Sequence, residues 1–372
     1  MKLSLKKNGK IVLFCVLALV VIGIYEVYSS SNVWALYKEN DSLYFFKRQL
    51  GFGVIGIIGM FIAMKIKLNY IFKYYKYILY IGMMLLILVL IPGIGIVRGG
   101  SRSWFGIGSF AIQPAEFFKA SIIVYGSVYL ADHYKKTKNF LKGIVPLLFV
   151  AFIGFALIML QPDLGSGVVM IGAVVIMSVV SRASIKNYLK LGILGVLAFA
   201  FLVISAPYRM NRITAFIDPW QDPLGTGFQI IQSLYALGPG GLLGSGIDGS
   251  IQKHFYLPEP QTDFIFAIFA EEFGFIGCVI VLLLFGCLIV NGFKIARKTN
   301  DLKSSFLAVG ITSLIAIQVV INLCVVVGLF PVTGITLPFF SYGGSSLVLI
   351  LFLSGLLIGI DRKVENNENI SD

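Results

Sequence analysis

Asp263 is the residue whose type and setting best suit a catalytic base, because it follows Gln261 and Thr262 and precedes a long apolar run. A carboxylate at the water-facing mouth of a helix can take a proton from a sugar hydroxyl group. A purely structural alternative is that Thr262 or Asp263 caps the helix, since a helix N-terminus stabilises a carboxylate. Both interpretations predict a helix that begins at about residue 264.

A second pair of chemically active residues, Glu116 and Lys119, lies at helical spacing after Gln113 and Pro114. Proline suits a first helical turn, and residues three apart share one face of a helix. An ammonium group in an apolar segment is costly, so Lys119 should face a wet cavity and pair with Glu116 or Asp163. Such a pair could hold two helices in register, contact a substrate, or do both.

Cationic and aromatic side chains recur outside the apolar runs. Arg102 and Trp104 lie in the glycine-rich segment 93–113, and Arg209 and Arg212 follow a later apolar run. Guanidinium groups bind phosphate oxygens bidentately, and aromatic faces stack on sugar rings; the alternative is an interfacial aromatic belt with snorkelling arginines. The candidate substrate-binding residues are therefore Arg102, Trp104, Gln113, Glu116, Lys119, Asp163, Arg209 and Arg212.

The composition places these residues in a membrane protein. Hydrophobic residues make up 58% of the 372 residues and charged residues only 13%, which is too little polar surface for a soluble globule of this size. The net charge of +12 would suit nucleic acid in a soluble protein, but here it indicates positively charged loops. We therefore expect lipid, and no nucleic acid, as a partner.

The apolar runs predict an all-α integral membrane protein with about ten transmembrane helices, forming a single domain over residues 1–372. A long extracellular loop, 207–263, separates helices 7 and 8 and carries Asp263; its Asp-Pro pairs at 218–219 and 222–223 also suit ordinary turns. The predicted spans are 11–28, 49–65, 77–92, 114–131, 144–161, 166–181, 188–206, 264–293, 305–329 and 344–361.

Lysine and arginine are distributed unequally between the two sides of these spans. Of the 30, Lys119 lies within a span, eight lie in the loops that include 93–113 and 207–263, and the other 21 lie on the opposite side. The positive-inside rule makes that lysine-rich side cytoplasmic, together with both termini. The first run lacks a small-residue cleavage site, so we predict a retained helix.

The motifs, in this order, resemble those of the SEDS peptidoglycan glycosyltransferases, the FtsW/RodA/SpoVE family of the bacterial cytoplasmic membrane. The resemblance covers essentially the whole chain. In amino-acid sequence, segments 222–272 and 331–346 are most similar to the division and sporulation branch, FtsW and SpoVE. The motifs are Ser101–Trp104, Gln113–Lys119, Gln161–Gly165, Asp218–Gln229, Pro258–Ala267 and Leu337–Ser346.

The resemblance implies polymerisation of lipid II at the outer membrane face, a class B penicillin-binding transpeptidase as partner, and other division or sporulation proteins nearby. Asp263 matches the family's essential loop aspartate, while Trp104, Lys119 and Asp163 match positions of its central cavity. A single base with an inverting displacement suffices for this reaction. The sequence shows no metal motif, and Mg²⁺ or Mn²⁺ remains a candidate helper for the departing pyrophosphate.

Two other functions fit the composition. A lipid II flippase or other transporter would also have many spans and intramembrane charges. Its site should lie near the midplane between repeated halves, whereas the polar residues here gather on one side and no repeat is visible. A non-catalytic scaffold for the transpeptidase would use Asp263 only as a cap.

Overall fold

The structure, a computed structural model, describes residues 5–98, 100–107 and 110–368. Within them the chain forms fourteen α-helices and a three-stranded sheet. The predicted positions of the chain ends fall partly on 1–4 and 369–372, outside the described residues. In chain order the elements are α1 Lys7–Glu39, α2 Tyr44–Ala63, α3 Leu68–Lys73, α4 Tyr75–Leu88, β1 Ile96–Arg98, β2 Ser101–Ile107, β3 Phe110–Ile112, α5 Pro114–Asp132, α6 Phe140–Gly143, α7 Val145–Met159, α8 Leu164–Val179, α9 Ile185–Ile204, α10 Pro207–Ile217, α11 Phe228–Leu237, α12 Ile265–Lys298, α13 Leu302–Val326 and α14 Gly344–Glu368.

A helix lies at every predicted span, and the protein is a multi-pass membrane protein. Five helices, α1, α2, α12, α13 and α14, are long and apolar enough to cross a membrane by length and composition. The shorter apolar helices α4, α7 and α8 coincide with three more predicted spans. Helices α5 and α9 coincide with the remaining two. The number of ten crossings stays a prediction.

One part of the described chain departs from an all-helical fold. Segment 93–113, predicted as an irregular loop, carries strands β1, β2 and β3 in antiparallel order. Its alternation of β-branched and aromatic residues with glycines favours short strands over helix. The predicted loop 207–263 likewise contains two helices, α10 and α11, so most of its first half is regular.

Helix α1 runs eleven residues beyond the predicted end at residue 28. The serines at that point do not break it, because Ser30 and Ser31 donate to the carbonyl oxygens of Glu26 and Val27, one turn back. The extension carries the end of α1 toward the segment 238–263. It therefore becomes part of the functional side of the molecule.

Helix α12 is broken at Gly274, whose φ of 63° suits glycine. The break frees backbone groups that would be costly in a membrane unless paired. Segment 240–246 pairs them: the amides of Ser245 and Gly246 donate to the carbonyls of Glu271 and Glu272. In return, the amides of residues 275 and 276 donate to the carbonyls of residues 241 and 242. The segment that leads to Asp263 is thus built into α12.

Helix α13 packs against α5, α8 and α12, and α5 also packs against α8. Helices α1, α2 and α14 pack against one another, and α1 and α14 also contact α12. By contrast, α9 packs mainly against α10. Its side chains at Leu189, Ile193 and Phe201 are largely exposed, as expected for a lipid-facing helix. This arrangement leaves one side of the bundle bordered by a loosely packed helix.

Candidate active site

A cleft of about 900 Å³ opens on the side of the bundle where α5 and α8 begin and α1 ends. Side chains from α1, α2, β2, α5, α8, α9 and α10 line it, together with the segments before α12 and α14. Eight of the nine site residues predicted from the sequence border this one cleft: Trp104, Gln113, Glu116, Lys119, Asp163, Arg209, Arg212 and Asp263.

Arg102 does not border the cleft. Its guanidinium donates instead to the carbonyl oxygen of Leu90 at 3.4 Å, next to the end of α4. Its neighbours Ser101, Ser103 and Trp104 in strand β2 do border the cleft, so Arg102 is the member of this motif that turns away from it. The predicted contact between Arg102 and substrate therefore lacks geometric support.

The cleft contains a buried ion pair between Lys119 and Glu116, with Nζ and Oε1 2.8 Å apart. Lys119 is 2% exposed, so its charge needs this partner. Of the two carboxylates expected as partners of Lys119, Glu116 is the one that pairs with it. Asp163 instead accepts hydrogen bonds from the side-chain amide of Gln113 at 2.9 Å and from the backbone of Ser166 at 3.0 Å.

These contacts fix the geometry of this part of the cleft. The Gln113–Asp163 hydrogen bond joins the start of α5 to the start of α8, and Asp163 also caps α8. Pro114 occupies the first turn of α5, where its missing N–H costs nothing. The result is a rigid arrangement of one ammonium group, two carboxyl groups and an amide at the edge of the cleft.

Asp263 is half-buried and does not cap α12. The capping position is held by Phe264, with no side-chain hydrogen bond. The Asp263 carboxylate accepts from the Thr262 hydroxyl at 2.9 Å, a hydroxyl shared with the carbonyl oxygen of Glu259. Burial raises the pKa of Asp263, while the Thr262 hydrogen bond and the nearby charge of Arg212 act to lower it. The structure thus removes the capping interpretation.

The backbone of Asp263 is held by Asn322 of α13, a residue that is 1% exposed. The Asn322 amide group donates to the carbonyl oxygens of Asp263 and Ile335, at 2.7 and 2.8 Å. Both acceptors belong to segments that line the cleft. The backbone amide of Tyr342 also donates to the carbonyl of Gln261. These bonds join the segment before α12 to the irregular segment 330–343.

Helix α10 adds positive charge to the cleft. Arg209 and Arg212 of α10 both border the cleft, and the Arg212 guanidinium donates to the carbonyl oxygen of Val332 at 3.0 Å. The Asp-Pro turns that follow α10 are local structures. Asp218 accepts from the backbone of Trp220 and Asp222 from that of Thr226. The hydrogen bonds from the backbone and side chain of Thr226 hold the pKa of the exposed Asp222 below its usual value.

The sequence reasoning missed a whole wall of the cleft. Trp34, Lys38 and Glu39 from the end of α1 and Tyr44 and Arg48 from the start of α2 all border it. The Arg48 guanidinium lies 4.4 Å from the centre of the Tyr44 ring. The signal was present in the charged and aromatic residues between the first two spans, on the same side as the other candidates.

Among the described residues, no group of three or more His, Cys, Asp and Glu side chains comes close enough to hold a metal ion. The carboxylates of the cleft are dispersed or already paired with protein groups. They do not fit a protein-held metal cage.

The comparisons with known proteins agree with the motifs. The family model described as cell cycle protein, FtsW/RodA/SpoVE, matches residues 10–366. The chain belongs to this family. It is 54% identical over 346 residues to stage V sporulation protein E of Bacillus subtilis strain 168, covering 93% of this chain and 94% of that protein. It is 39% identical to a probable peptidoglycan glycosyltransferase FtsW of Geobacter sp. strain M18, covering 95% and 96%.

Solved structures of the family share the fold. One of them is described as "Structural coordination of polymerization and crosslinking by a peptidoglycan synthase complex". A chain in that structure matches with a TM-score of 0.78 and 30% identity, and the match covers 97% of this chain and 99% of that one. The rod shape determining protein RodA of Thermus thermophilus has a TM-score of 0.71 and 26% identity, covering 97% and 98%. The higher identity to SpoVE and FtsW relatives agrees with the predicted branch.

Proposed function

We propose that the protein is a peptidoglycan glycosyltransferase that polymerises lipid II into glycan strands during division or sporulation. The observation that carries this proposal is the position of Asp263: a half-buried carboxylate that caps no helix and borders the same cleft as the Lys119–Glu116 pair. Named relatives described as probable peptidoglycan glycosyltransferases support the same chemistry. The cleft is large enough for sugar rings with their pyrophosphate groups.

In the proposed reaction, Asp263 accepts the proton of the 4-hydroxyl group of N-acetylglucosamine on the acceptor lipid II. The oxygen attacks the anomeric carbon of N-acetylmuramic acid at the reducing end of the growing strand. The bond from that carbon to the phosphate oxygen breaks, and its electron pair leaves with undecaprenyl pyrophosphate. One displacement inverts the configuration, so one carboxylate base is sufficient.

The leaving pyrophosphate gains negative charge, and the cleft offers cations to stabilise it. Arg209 and Arg212 stand on one wall and Lys119 lies in its buried pair with Glu116. Guanidinium groups suit phosphate oxygens because they bind two at once. Asp163 and Gln113 are placed to orient sugar or amide groups, and Trp104 presents an aromatic face at the same cleft.

The substrates would reach the cleft from the membrane. Phe199 and Val203 of α9 border it, and α9 is the loosely packed helix of the bundle. A polyprenyl chain could therefore stay among lipids while its head group enters beside α9. We further propose that the cleft faces outward, the lysine-rich side and both termini face the cytoplasm, and a class B penicillin-binding transpeptidase is the partner.

The test of the function is polymer formation from purified lipid II by the reconstituted protein with its candidate transpeptidase. Polymer with release of undecaprenyl pyrophosphate is the expected result. Transport of lipid II across vesicles without any polymer would instead favour the flippase, and lack of both activities would favour a scaffold.

A further inference from the structure

The end of α1 and the segment before α12 form an exposed aromatic cluster at the rim of the cleft. We call it the aromatic rim: Trp34, Tyr37, Lys38 and Phe255. The centre of the Phe255 ring lies 5.7 Å from that of Trp34 and 5.4 Å from that of Tyr37. Tyr37 is 76% exposed and Phe255 49% exposed, while Trp34 and Lys38 border the cleft. The rim thus presents open aromatic faces beside the cleft.

The rim stands above the hydrocarbon of the membrane. Helix α1 has 33 residues, which corresponds to a length of about 50 Å at 1.5 Å per residue, against a hydrocarbon thickness of about 30 Å. Since α1 begins at the lysine-rich side, its last turns project into the head-group region and water. Tyr37 and Phe255 therefore lie at the level where sugars attached to lipid pyrophosphate would be.

The rim is held in place by buried charges. Lys253, which is 2% exposed, pairs with Glu272 of α12 at 3.1 Å and with Asp248, and it contacts the Ser29 hydroxyl of α1 at 3.4 Å. Asp248 also accepts from Asn32 of α1 at 3.0 Å. These bonds hold segment 248–255 against α1. Phe255 lies two residues after Lys253, so its ring is fixed against α1.

Two local features have no evident structural purpose. Phe255 has a φ of 67°, a conformation that bulky residues rarely adopt and that tends to persist where function requires it. The indole N–H of Trp34 is buried and has no hydrogen-bond partner among the described residues. Exposed aromatic rings, one of them on a residue held in a strained conformation, lie beside the exposed ammonium group of Lys38, 5.8 Å from the centre of the Trp34 ring. This combination suits a ligand with both an apolar face and acceptor groups.

Resting on the proposed function, we infer that the aromatic rim binds the β-1,4-linked N-acetylhexosamine chain of the glycan strand beside the reaction cleft. Sugar rings present C–H faces that stack on aromatic rings, and their acetamido carbonyls accept hydrogen bonds. A strand held at the rim stays near the cleft between successive additions. Loss of the rim therefore shortens the strands without stopping each coupling step.

The first experiment measures binding of chitohexaose, a soluble chain of N-acetylglucosamine, by tryptophan fluorescence of the full-length protein in lipid nanodiscs. The rim variant carries Tyr37→Ala and Phe255→Ala and keeps Trp34 as reporter. The matched control carries Trp220→Ala and Tyr235→Ala, an exposed aromatic pair 5.9 Å apart outside the cleft lining. Wild type and control should bind, and the rim variant should bind about fivefold more weakly or worse.

The second experiment measures strand length after polymerisation of lipid II by the same three proteins. The rim variant should make shorter strands while it consumes lipid II at a rate close to wild type. Strands of wild-type length from the rim variant, or equal chitohexaose binding by rim variant and wild type, would overturn the inference and leave an interfacial aromatic belt. These results differ from failure of the proposed function, which would appear as a lack of polymer from the wild-type protein. Chitohexaose binding tests the aromatic rim whether or not the wild-type protein makes polymer.

Discussion

The acid–base behaviour of Asp263 follows from its immediate neighbours. Burial disfavours the charged carboxylate and raises its pKa, whereas the Thr262 hydroxyl and the charge of Arg212 favour it. A base acts only when ionised, so the raised pKa moves the loss of activity in acid to a higher pH than for an exposed aspartate. Burial leaves the carboxylate poorly solvated, and a poorly solvated carboxylate is a better proton acceptor once it is ionised.

Replacement of Thr262 by valine tests this balance. The variant removes a hydrogen bond that stabilises the ionised form, so the pKa of Asp263 should rise further. The acid limb of the pH profile of kcat/KM for lipid II polymerisation should then move to higher pH, with little change on the alkaline side. Thr214→Val is the control, because the Thr214 hydroxyl donates only within its own helix, to Met210. If the acid limb stays in place, or moves equally in the control, the Thr262 hydroxyl does not influence the pKa of the catalytic base.

At this scale the sequence identified much of the site, because charges in apolar surroundings are rare and costly. Lys119, Glu116 and Asp163 are examples, and all border the cleft. The sequence does not settle which carboxylate pairs with Lys119. Helical spacing favours Glu116 and a similar depth in the membrane favours Asp163, and only the coordinates place Glu116 against Lys119. Arg102 shows the same limit, since only the coordinates show that its guanidinium group donates to the carbonyl oxygen of Leu90 and does not reach the cleft.

Among the elements, the broken helix α12 explains how the segment before Asp263 is held. Gly274 lies against segment 240–246, and a Cβ atom there would come within 2.3 Å of the backbone nitrogen of Gly244 and 2.8 Å of the carbonyl oxygen of Gly240. Neither atom can move without breaking the hydrogen bonds that fill the gap in α12. The break is therefore a docking point for the 207–263 segment.

Gly274→Ala should destabilise the protein by about 2 kcal/mol or more, from left-handed strain and steric overlap together. The expected result is a lower temperature of unfolding, measured in detergent by tryptophan fluorescence. Gly286→Ala in the same helix is the matched control, since a Cβ there meets nothing within 4 Å. If both variants unfold at the wild-type temperature, segment 240–246 is not held by the break as described.

The elements could be predicted from the sequence where apolar runs are long, and this accounts for the helices found at all ten predicted spans. The exceptions have physical causes. Serines ended the first predicted span, yet in α1 they bond to carbonyls of their own helix and the helix continues to Glu39. Segment 93–113 forms strands through its β-branched and aromatic residues, but this pattern is short and interrupted by glycines, so it is too weak a signal to distinguish from a loop.

At the scale of the whole molecule, the cleft joins residues from one end of the chain to the other. Trp34 of α1, Lys119 of α5, Arg212 of α10, Asp263 and Ser346 of α14 border the same space. No local pattern predicts such a meeting. It follows from bundle packing, which brings the ends of α1, α5, α8 and α13 to one side. Connections supply some of the polar groups there, such as Asp263, and the ends of helices supply others, such as Lys119 and Arg212.

The proposed mechanism assigns substrate binding and proton transfer to different residues. In the proposed reaction, the arginines and the Lys119–Glu116 pair that border the cleft bind pyrophosphate and sugar, whereas a single carboxylate takes the proton. Removal of Asp263 should therefore leave lipid II binding intact and slow the reaction itself. Asp263→Asn keeps the shape of the side chain and removes its basicity, so it isolates that role.

The measurement that tests this account most directly is single-turnover release of undecaprenyl pyrophosphate from lipid II by wild type and Asp263→Asn, reconstituted with the same transpeptidase partner and with lipid II binding measured in parallel. The account predicts equal binding and a rate lower by about two to four orders of magnitude in the variant, the range expected for loss of a general base. Release at the wild-type rate, or a loss explained wholly by weaker binding, would contradict the assignment of Asp263 as the base.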